Sequence, residues 1–539
     1  MARSSQNALL VLTVLTVLTA GCTDNGGAGA ETDGPSDDSS SGETGSESSG
    51  DANPEPDIPP PWEPSLARAI DITTVEANQG VAVPIGRDGR GLGGDERNAY
   101  LVANRNLLIR AHYDVSDDWT PRELEAKLTL SWADGSSRVA TKTFMIDSDS
   151  VMGDLDRTLW WYVPAELVKS GLEYAIEVYE TQPGFEDEPE GIARVPLEGS
   201  AFVGIETSYM VLKVVVVPIH HDTGTGNCAA APTLDQEALD FFASDLEEQN
   251  PVERVEVTAH DVYTYTESMD SFVGLLGELR DLRNADMAPP DVYYYGVVRP
   301  CDGGPNGIGG QAIDIPNNAT QGNWYTRIAV GRWQPGSLGA TSGTLVHEIG
   351  HTQGRRHILC NGDEGGPDPS YPYEAGAIGV WGFGISRWTL HGSTIAKDYM
   401  TYCSNTWVSD WGWNKVYPFI EEISSWELAG RAPELEGAVL VGTVSPDGTE
   451  TWTTLPGSVA QPMLSLDHSV EFYAESKLLV EVPAVVSKRP HDETLNVYVP
   501  LPATFADATS IVHVQNGVRV ATLRRAIRIR HELGLATSQ

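Results

Sequence analysis

The chain has 539 residues, with 76 acidic and 35 basic side chains and a formal net charge of −41. Its length suggests about three domains. The electrostatic field of such a negatively charged protein repels nucleic-acid phosphates and disfavours non-specific binding to anionic lipid head groups. We therefore expect no nucleic-acid partner, and we attribute the acidity to the solubility of an exported protein.

The first residues have the pattern of an export signal. Arg3 provides a short basic region, and residues 8–20 form an apolar, Thr-rich segment that is too short to span a bilayer comfortably. The sequence TAGC, ending at Cys22, resembles the lipobox of bacterial lipoproteins. The resemblance implies a lipoprotein signal peptide over residues 1–21 and a lipid on the Cys22 thiol. An ordinary signal peptide with a chance cysteine is the alternative.

By the same resemblance, Thr23 after the lipidated residue permits placement on the outer membrane or cell surface. Residues 22–64 are rich in Gly, Ser, Pro and acidic side chains and contain almost no apolar residue. Such a segment buries too little surface to offset its ordering entropy, so it is predicted to be a disordered linker. We expect this linker to hold the folded part away from the membrane. The predicted location of the protein is the bacterial cell envelope, where it is exported and lipid-anchored, or the exterior as a secreted protein.

Residues 65–205 contain short β-like runs separated by Gly, Asp and Pro, which favour an antiparallel β-sandwich. The runs are Leu107–Val115, Leu128–Trp132, Leu159–Val163 and Tyr174–Tyr179. Three acidic residues in this region, Asp147, Asp149 and Asp154, match a calcium loop weakly, and a solvated acidic turn is the favoured interpretation. A calcium requirement is left open.

The segment 206–430 differs, because apolar strands alternate with amphipathic helices, which indicates α/β organisation. Predicted strands cover Leu212–Pro218, Val252–Val262, Asp291–Val298 and Tyr325–Val330, and predicted helices cover Leu234–Glu248 and Met269–Arg283. From residue 431 to 539 β-like runs return, and a second β-sandwich is predicted. Those runs are Val439–Val444, Leu478–Val482, Leu495–Leu501 and Ile511–Val514.

The segment from His347 to His357 reads HEIGHTQGRRH. On a helix, His347 and His351 lie one turn apart on the same face and can bind one ion together. Glu348 lies beside them, placed to take a proton from the water that such an ion activates. Gly354 is suited to the left-handed turn that ends a helix, after which His357 can return to the same ion. Three nitrogen ligands with an open fourth position predict one catalytic Zn²⁺.

This HExxHxxGxxH pattern, followed by a downstream methionine, resembles the metzincin clan of metallopeptidases. The resemblance makes Met400 the methionine beneath the ligands, and it makes Tyr402 a residue that ligates zinc and then moves to the transition-state oxyanion. It covers residues 211–418, under half of the chain. The fold class implied is a multidomain protein in which an α/β (α+β) metzincin-like catalytic domain is flanked by two β-sandwich domains.

If Cys22 is acylated, four cysteines remain, an even number that favours two disulfides in an oxidising compartment. Four cysteines allow three pairings, and the favoured one joins Cys228 to Cys301 and Cys360 to Cys403. The second bridge follows from the resemblance, which brings the segments after His357 and Tyr402 together. Cys360 and Cys403 acting as zinc ligands is the alternative.

The segment 206–430 also contains a candidate substrate-binding strand and a group of three tryptophans. By resemblance, Gly309–Ile315 is the candidate edge strand for an extended substrate, with an ordinary loop strand as the alternative. Three tryptophans after the methionine either wall a specificity pocket or pack a core, and packing is the commoner role. They are Trp407, Trp411 and Trp413.

Taken together, the sequence predicts a monomeric zinc endopeptidase that hydrolyses peptide bonds of extracellular proteins by zinc-activated water. Its partners would be a protein or peptide substrate and, through the N-terminal lipid, a membrane. Two alternatives remain. One is a catalytically silent zinc-containing surface binding protein, which the presence of Glu348 disfavours. The other is a zinc amidase that acts on cell-wall peptides.

Overall fold

We describe the fold from a computed structural model that covers residues 62–226, 228–301, 303–362, 365–428, 437–459, 467–489 and 492–524. The predicted signal peptide, Cys22 and the predicted linker up to Pro61 lie outside these residues. The described residues from Trp62 onward belong to one compact unit in which strands predominate. None of the helices in these ranges contains a stretch long and apolar enough to cross a membrane.

Two antiparallel sheets follow Trp62. The first has the strand order β3-β2-β1-β4-β7, and the second has the order β10-β8-β5-β6 with β9 paired to β8. The strands are β1 (Ile70–Asn78), β2 (Ala82–Arg87), β3 (Arg90–Gly91), β4 (Leu107–Val115), β5 (Arg122–Ser131), β6 (Ser137–Ile146), β7 (Leu159–Val163), β8 (Glu173–Glu180), β9 (Arg194–Val195) and β10 (Ala201–Phe202).

Side chains from both sheets share one apolar core, as expected for a β-sandwich. In β5 the residues alternate between buried and more exposed positions, so that Leu124, Ala126 and Leu128 point into the core. This period of two is the pattern of a strand with one covered face. Phe144 of the second sheet meets Trp161 of the first edge to face, with ring centroids 6.3 Å apart.

The middle segment contains the central sheet, with the order β12-β11-β14-β16-β15 and β13 paired to β11. All of its pairs are parallel except β15 with β16. The elements are β11 (Val211–His221), α1 (Gln236–Gln249), β12 (Arg254–Ala259), β13 (Tyr263–Tyr265), α2 (Val273–Ala285), β14 (Val292–Val298), β15 (Gly310–Ala312), β16 (Ile328–Arg332), α3 (Leu338–Thr352), β17 (Gly382–Gly384), β18 (Thr389–His391), β19 (Lys397–Asp398), β20 (Thr406–Trp407) and α4 (Asp410–Leu428).

Helices cover both faces of this sheet. Every residue of β14 is buried, because its two faces pack against separate apolar clusters. Tyr293 and Tyr295 belong to the cluster that includes α1 and α3, whereas Tyr294 belongs to the cluster that includes α2. The α/β organisation predicted for this segment is therefore present, with one antiparallel strand at its edge.

Two four-stranded antiparallel sheets complete the chain, with the orders β22-β21-β26-β25 and β24-β23-β27-β28. Both contribute to one core, which includes Leu440, Phe472 and Val497. The strands are β21 (Ala438–Val444), β22 (Glu450–Pro456), β23 (His468–Ala474), β24 (Lys477–Pro483), β25 (Val485–Lys488), β26 (Leu495–Pro500), β27 (Ser510–Gln515) and β28 (Val518–Arg524).

Candidate metal centre

Helix α3 carries the first two candidate ligands. Its N-terminus is capped by Ser337, whose hydroxyl accepts a hydrogen bond from the Ala340 amide at 3.2 Å. The helix packs an apolar face against the central sheet, and its last two turns are almost completely buried. His347 and His351 lie on one face of these turns, with ring centroids 4.8 Å apart. The two histidines therefore lie one turn apart on the same face of a helix, as predicted.

A reversal of the chain brings in the third candidate ligand. Gly354 has a φ of +83°, and a Cβ there would lie 2.8 Å from the carbonyl oxygen of Pro316. Both the left-handed backbone and the close approach require glycine. After this turn His357 meets the helix pair, and the ligand atoms of the three histidines all lie within 4.8 Å of one another. These three residues can hold a metal ion.

The backbone around the histidines fixes their tautomers. Each Nδ1 faces a carbonyl oxygen: that of Tyr399 for His347 at 2.8 Å, that of Arg355 for His351 at 2.7 Å, and that of Gly365 for His357 at 2.7 Å. A carbonyl oxygen only accepts hydrogen bonds, so each Nδ1 must carry a hydrogen. In the neutral ring the lone pair is then on Nε2, which is the arrangement of a metal ligand with its second nitrogen supported.

The Nε2 atoms of His351 and His357 face each other at 3.0 Å. Two lone pairs at this separation repel, so the arrangement needs a cation or a shared proton between the two nitrogens. Both rings are almost inaccessible to solvent, at 0% and 1% exposure. The donor set of three neutral imidazoles suits Zn²⁺ and related transition metals better than calcium or magnesium, which prefer oxygen. The residues therefore fit the ion that the sequence motif implies.

Glu348 lies beside this group and is 2% exposed. Its side chain packs against β15, where a Cβ on Gly310 would be 2.7 Å from Glu348 Cγ and 2.8 Å from Oε1. Tyr402 approaches from the other segment: it is half exposed, and its hydroxyl is 3.0 Å from His357 Nε2. An acidic side chain and a phenol thus flank the three imidazoles.

Met400 is fully buried beneath the helix. Its carbonyl oxygen accepts a hydrogen bond from the Ile358 amide at 3.0 Å, directly after His357. Its sulfur approaches Gly350 of α3 so closely that a Cβ at that position would lie 2.7 Å away. Glycine within the histidine pair is therefore what allows the methionine to contact the helix.

We expect Gly350→Ala to lower the free energy of unfolding by about 1–3 kcal/mol, because the new methyl group overpacks against Met400 and Tyr399. Gly343 is the matched control, since it lies in the same helix with open space around its Cα. Gly343→Ala should raise the free energy of unfolding by about 0.5–1 kcal/mol through helix propensity. Urea denaturation of both variants measures the difference. Equal stability of the two would contradict the close approach of Met400.

A buried ion pair connects the two parts of the site. Arg355 Nη2 is 3.0 Å from Asp398 Oδ1, and both side chains are at most 1% exposed. Burial opposes the charge of Arg355, yet the Asp398 carboxylate holds the pKa of this guanidinium above its usual value. Asp398 Oδ1 also accepts a hydrogen bond from the Met400 amide at 2.9 Å. The sequence interpretation missed this pair, although Arg355 lies within the motif and Asp398 two residues before the methionine.

Both favoured disulfides are present. Cys360 and Cys403 are bridged with their Cα atoms 6.3 Å apart, and Cys228 and Cys301 with theirs 4.7 Å apart. The first bridge links the loop after His357 to the segment after Tyr402, and its sulfurs are thereby removed from the alternative role of zinc ligands. Structural disulfides are typical of extracellular and other oxidising compartments.

The remaining candidate residues take part in packing or in hydrogen bonds within the fold. Trp407 donates its indole hydrogen to the Gly80 carbonyl at 2.7 Å, and Trp413 donates to that of Tyr100 at 3.0 Å, so both pack the central segment against connections of the first sheet. Trp411 lies against the Arg355 guanidinium. The carboxylates of Asp149 and Asp154 accept hydrogen bonds from the amides of Val115 and Asp156. Within the described ranges, the group that can hold a metal is the three histidines.

Comparison with known proteins adds no assignment. No protein-family model and no curated protein matches the chain. One solved structure, of a chaperone–substrate complex, is 15% identical over 50% of this chain and 43% of that chain, with a TM-score of 0.23. Another, a putative beta-galactosidase from Bacteroides fragilis, is 10% identical over 42% and 38%, with a TM-score of 0.12. The chain thus spans less than half of either structure, and neither likeness supports an argument about function.

Proposed function

We propose that this chain is a zinc-dependent endopeptidase of the metzincin type, with His347, His351 and His357 as the zinc ligands. The observation that carries the proposal is the set of three Nδ1–carbonyl hydrogen bonds, which leave Nε2 of each ring as the ligand atom in a group whose ligand atoms all lie within 4.8 Å of one another. Structural zinc sites have four protein ligands, whereas three histidines leave a position for water or substrate. Bound there, Zn²⁺ would supply the Lewis acidity that activates water and polarises a carbonyl.

The chain's own residues would provide the proton transfers. Glu348 accepts a proton from the attacking water as the new carbon–oxygen bond forms at the scissile carbonyl. It then delivers this proton to the amide nitrogen as the carbon–nitrogen bond breaks, so that one side chain serves both steps. The Tyr402 hydroxyl, which is 3.0 Å from His357 Nε2, would donate a hydrogen bond to the oxyanion of the tetrahedral intermediate. Met400, Arg355 and Asp398 support the ligands from below without contacting the substrate.

Zinc content and cleavage, measured together, test this function. The purified full chain should contain about one zinc per molecule and cleave casein or gelatin, and a chelator should abolish the cleavage until zinc is restored. Zinc with no cleavage of any protein or peptide would favour the silent binding protein, and cleavage restricted to cell-wall peptides would favour the amidase. Folded protein that binds no zinc would contradict the proposal.

We further propose that the protein is exported and attached to a membrane through a lipid on Cys22. The two disulfides support an oxidising location. Fatty-acid labelling of the chain, which Cys22→Ser should abolish, tests the attachment. Label that survives this substitution would contradict it.

A further inference from the structure

A cavity of about 310 Å³ lies where connections of the first sheet meet helix α1 and the β17–β18 hairpin. Its lining combines residues 79, 105 and 106 with side chains of α1 and with residues 383, 385 and 386 of the hairpin. The volume is at the lower end of the range for small-molecule sites, roughly 300–1,000 Å³. None of the lining residues belongs to the three-histidine group, so a ligand bound here has a separate role.

Two buried groups of opposite charge line this cavity without bonding each other. Arg105 is 4% exposed, and its hydrogen bonds within the described residues all go to backbone carbonyl oxygens. Glu248 is 7% exposed, and its Oε1 accepts a hydrogen bond from the Ser386 amide at 2.7 Å. Among the described residues, Glu248 Oε2 has no hydrogen-bond partner. A buried carboxylate with incomplete hydrogen bonding is costly, so the cavity favours an occupant that brings donors.

The outer part of the lining is polar and offers both donors and acceptors. Asp240, Ser244 and Glu247 follow one another at helical spacing on α1, and Asn106 lies across from them. Asp240 is exposed and Glu247 is partly exposed, so solvent screens both charges. The two charges that solvent reaches least are those of Glu248 and Arg105, which balance each other. This lining therefore suits a neutral ligand with many hydroxyl groups.

Aromatic rings border the same cavity. Trp388 of the β17–β18 loop contacts Phe383, a lining residue, with ring centroids 5.1 Å apart. It also contacts Trp160 and Tyr162 of β7, at 5.3 Å and 6.3 Å. Tyr162 donates its hydroxyl hydrogen to Asn106 Oδ1 at 2.8 Å, which joins the rings to the polar lining. Because Trp388 and Tyr162 are each 43% exposed, aromatic surface is accessible next to the polar groups.

The backbone at Trp388 gives an independent reason to assign a role to its ring. The loop has four residues between the paired Gly384 and Thr389, and Trp388 ends it with a φ of +51°. This left-handed conformation is strained for a bulky side chain and free of strain for glycine. A position that only turned the chain would favour glycine. A large, half-exposed ring at a strained position is typical of a functional site.

We propose that this cavity and its aromatic border bind a neutral saccharide of one or two rings. A sugar ring has apolar C–H faces that pack on aromatic side chains such as Trp388. Its hydroxyls both donate and accept, so they can bond Glu248, Asn106 and Arg105 together. An apolar peptide segment would leave these polar groups without partners, and an anion would face three carboxylates. The site does not depend on the proposed hydrolysis.

Titration of the full chain with saccharides tests the site. The probes are neutral hexoses and N-acetylhexosamines with their disaccharides, measured by isothermal calorimetry with and without a zinc chelator. We expect at least one of them to bind with a stoichiometry of about one, equally in both conditions. Absence of binding to every probe would overturn the proposal. Binding of free lysine or arginine in place of the saccharides would also overturn it, because the cavity would then be a cation site.

A pair of variants assigns the binding to the aromatic border. Trp388→Gly removes the ring and suits the local φ, so the protein should stay folded. We expect its saccharide affinity to fall about tenfold or more. Phe202→Ala is the control, because it removes another exposed aromatic ring that does not line the cavity.

Hydrolysis of an unglycosylated peptide should be the same in both variants and in the wild type, since neither residue belongs to the histidine group. This readout separates the saccharide site from the proposed peptidase site. If Trp388→Gly and Phe202→Ala bound the saccharide with equal affinity, the assignment to Trp388 would be wrong.

Discussion

Replacing Glu348 by glutamine should lower kcat by about 10³-fold while the protein keeps its zinc, because general acid–base catalysis by one side chain contributes about 10²–10⁴-fold. The amide has the size of the carboxylate but cannot take a proton from water. None of the three hydrogen bonds that orient the histidine rings involves the Glu348 side chain. The effect should therefore appear in kcat, with the metal content unchanged. Steady-state kinetics combined with metal analysis of the same preparation measures both quantities.

The control is an exposed acidic residue outside the cluster. Glu374 lies in an exposed turn, so Glu374→Gln makes the same chemical change without contact to the histidines. It should leave both kcat and zinc content unchanged. If the Glu348→Gln protein retained wild-type turnover, the proton would have to pass through another group. If it lost zinc, the residue would support the site mainly by structure and not by proton transfer.

The candidate site was predictable because its residues are close in sequence. Two histidines one helical turn apart and a glycine before the third define most of the geometry locally. The strands β4, β7 and β14 were also predictable, since their alternating or continuous apolar patterns report their burial directly. In each case a short segment contains the whole signal.

Other features depend on contacts that no local pattern reports. Helix α4 was not predicted, because Gly412 and Pro418 weaken the helical signal, and its Trp413 is buried through a contact with Tyr100, 313 residues earlier in the chain. The Arg355–Asp398 pair is separated by 43 residues, and neither side chain has a pattern that predicts burial. The hydrogen bond from the Asn496 side chain to the Ile313 carbonyl joins residues that are 183 positions apart. Interactions of this kind follow from the tertiary fold alone.

The second large effect is expected from the removal of one proposed zinc ligand, and His351 is the residue to replace. Without its Nε2 atom the cluster has two imidazoles, which define no catalytic zinc site, so His351→Ala should contain little or no zinc and show no hydrolysis. The loss of zinc binding should also remove the stabilisation that a bound ion gives to the folded chain. An ion that binds the folded chain and not the unfolded one stabilises it by about 3–4 kcal/mol when its free concentration is about 100 to 1,000 times Kd.

Zinc added to metal-free wild-type protein should therefore raise the thermal midpoint by several degrees, by an amount that grows with zinc concentration. The physical reason lies in the 3.0 Å approach of His351 Nε2 to His357 Nε2, where a cation replaces the repulsion of two lone pairs by two attractive contacts. In His351→Ala this repulsion is gone, so its midpoint should not respond to zinc. His220→Ala, which alters a histidine outside the cluster, should respond like the wild type. A zinc-dependent shift of wild-type size in His351→Ala would place the ion elsewhere and would contradict the three-histidine site.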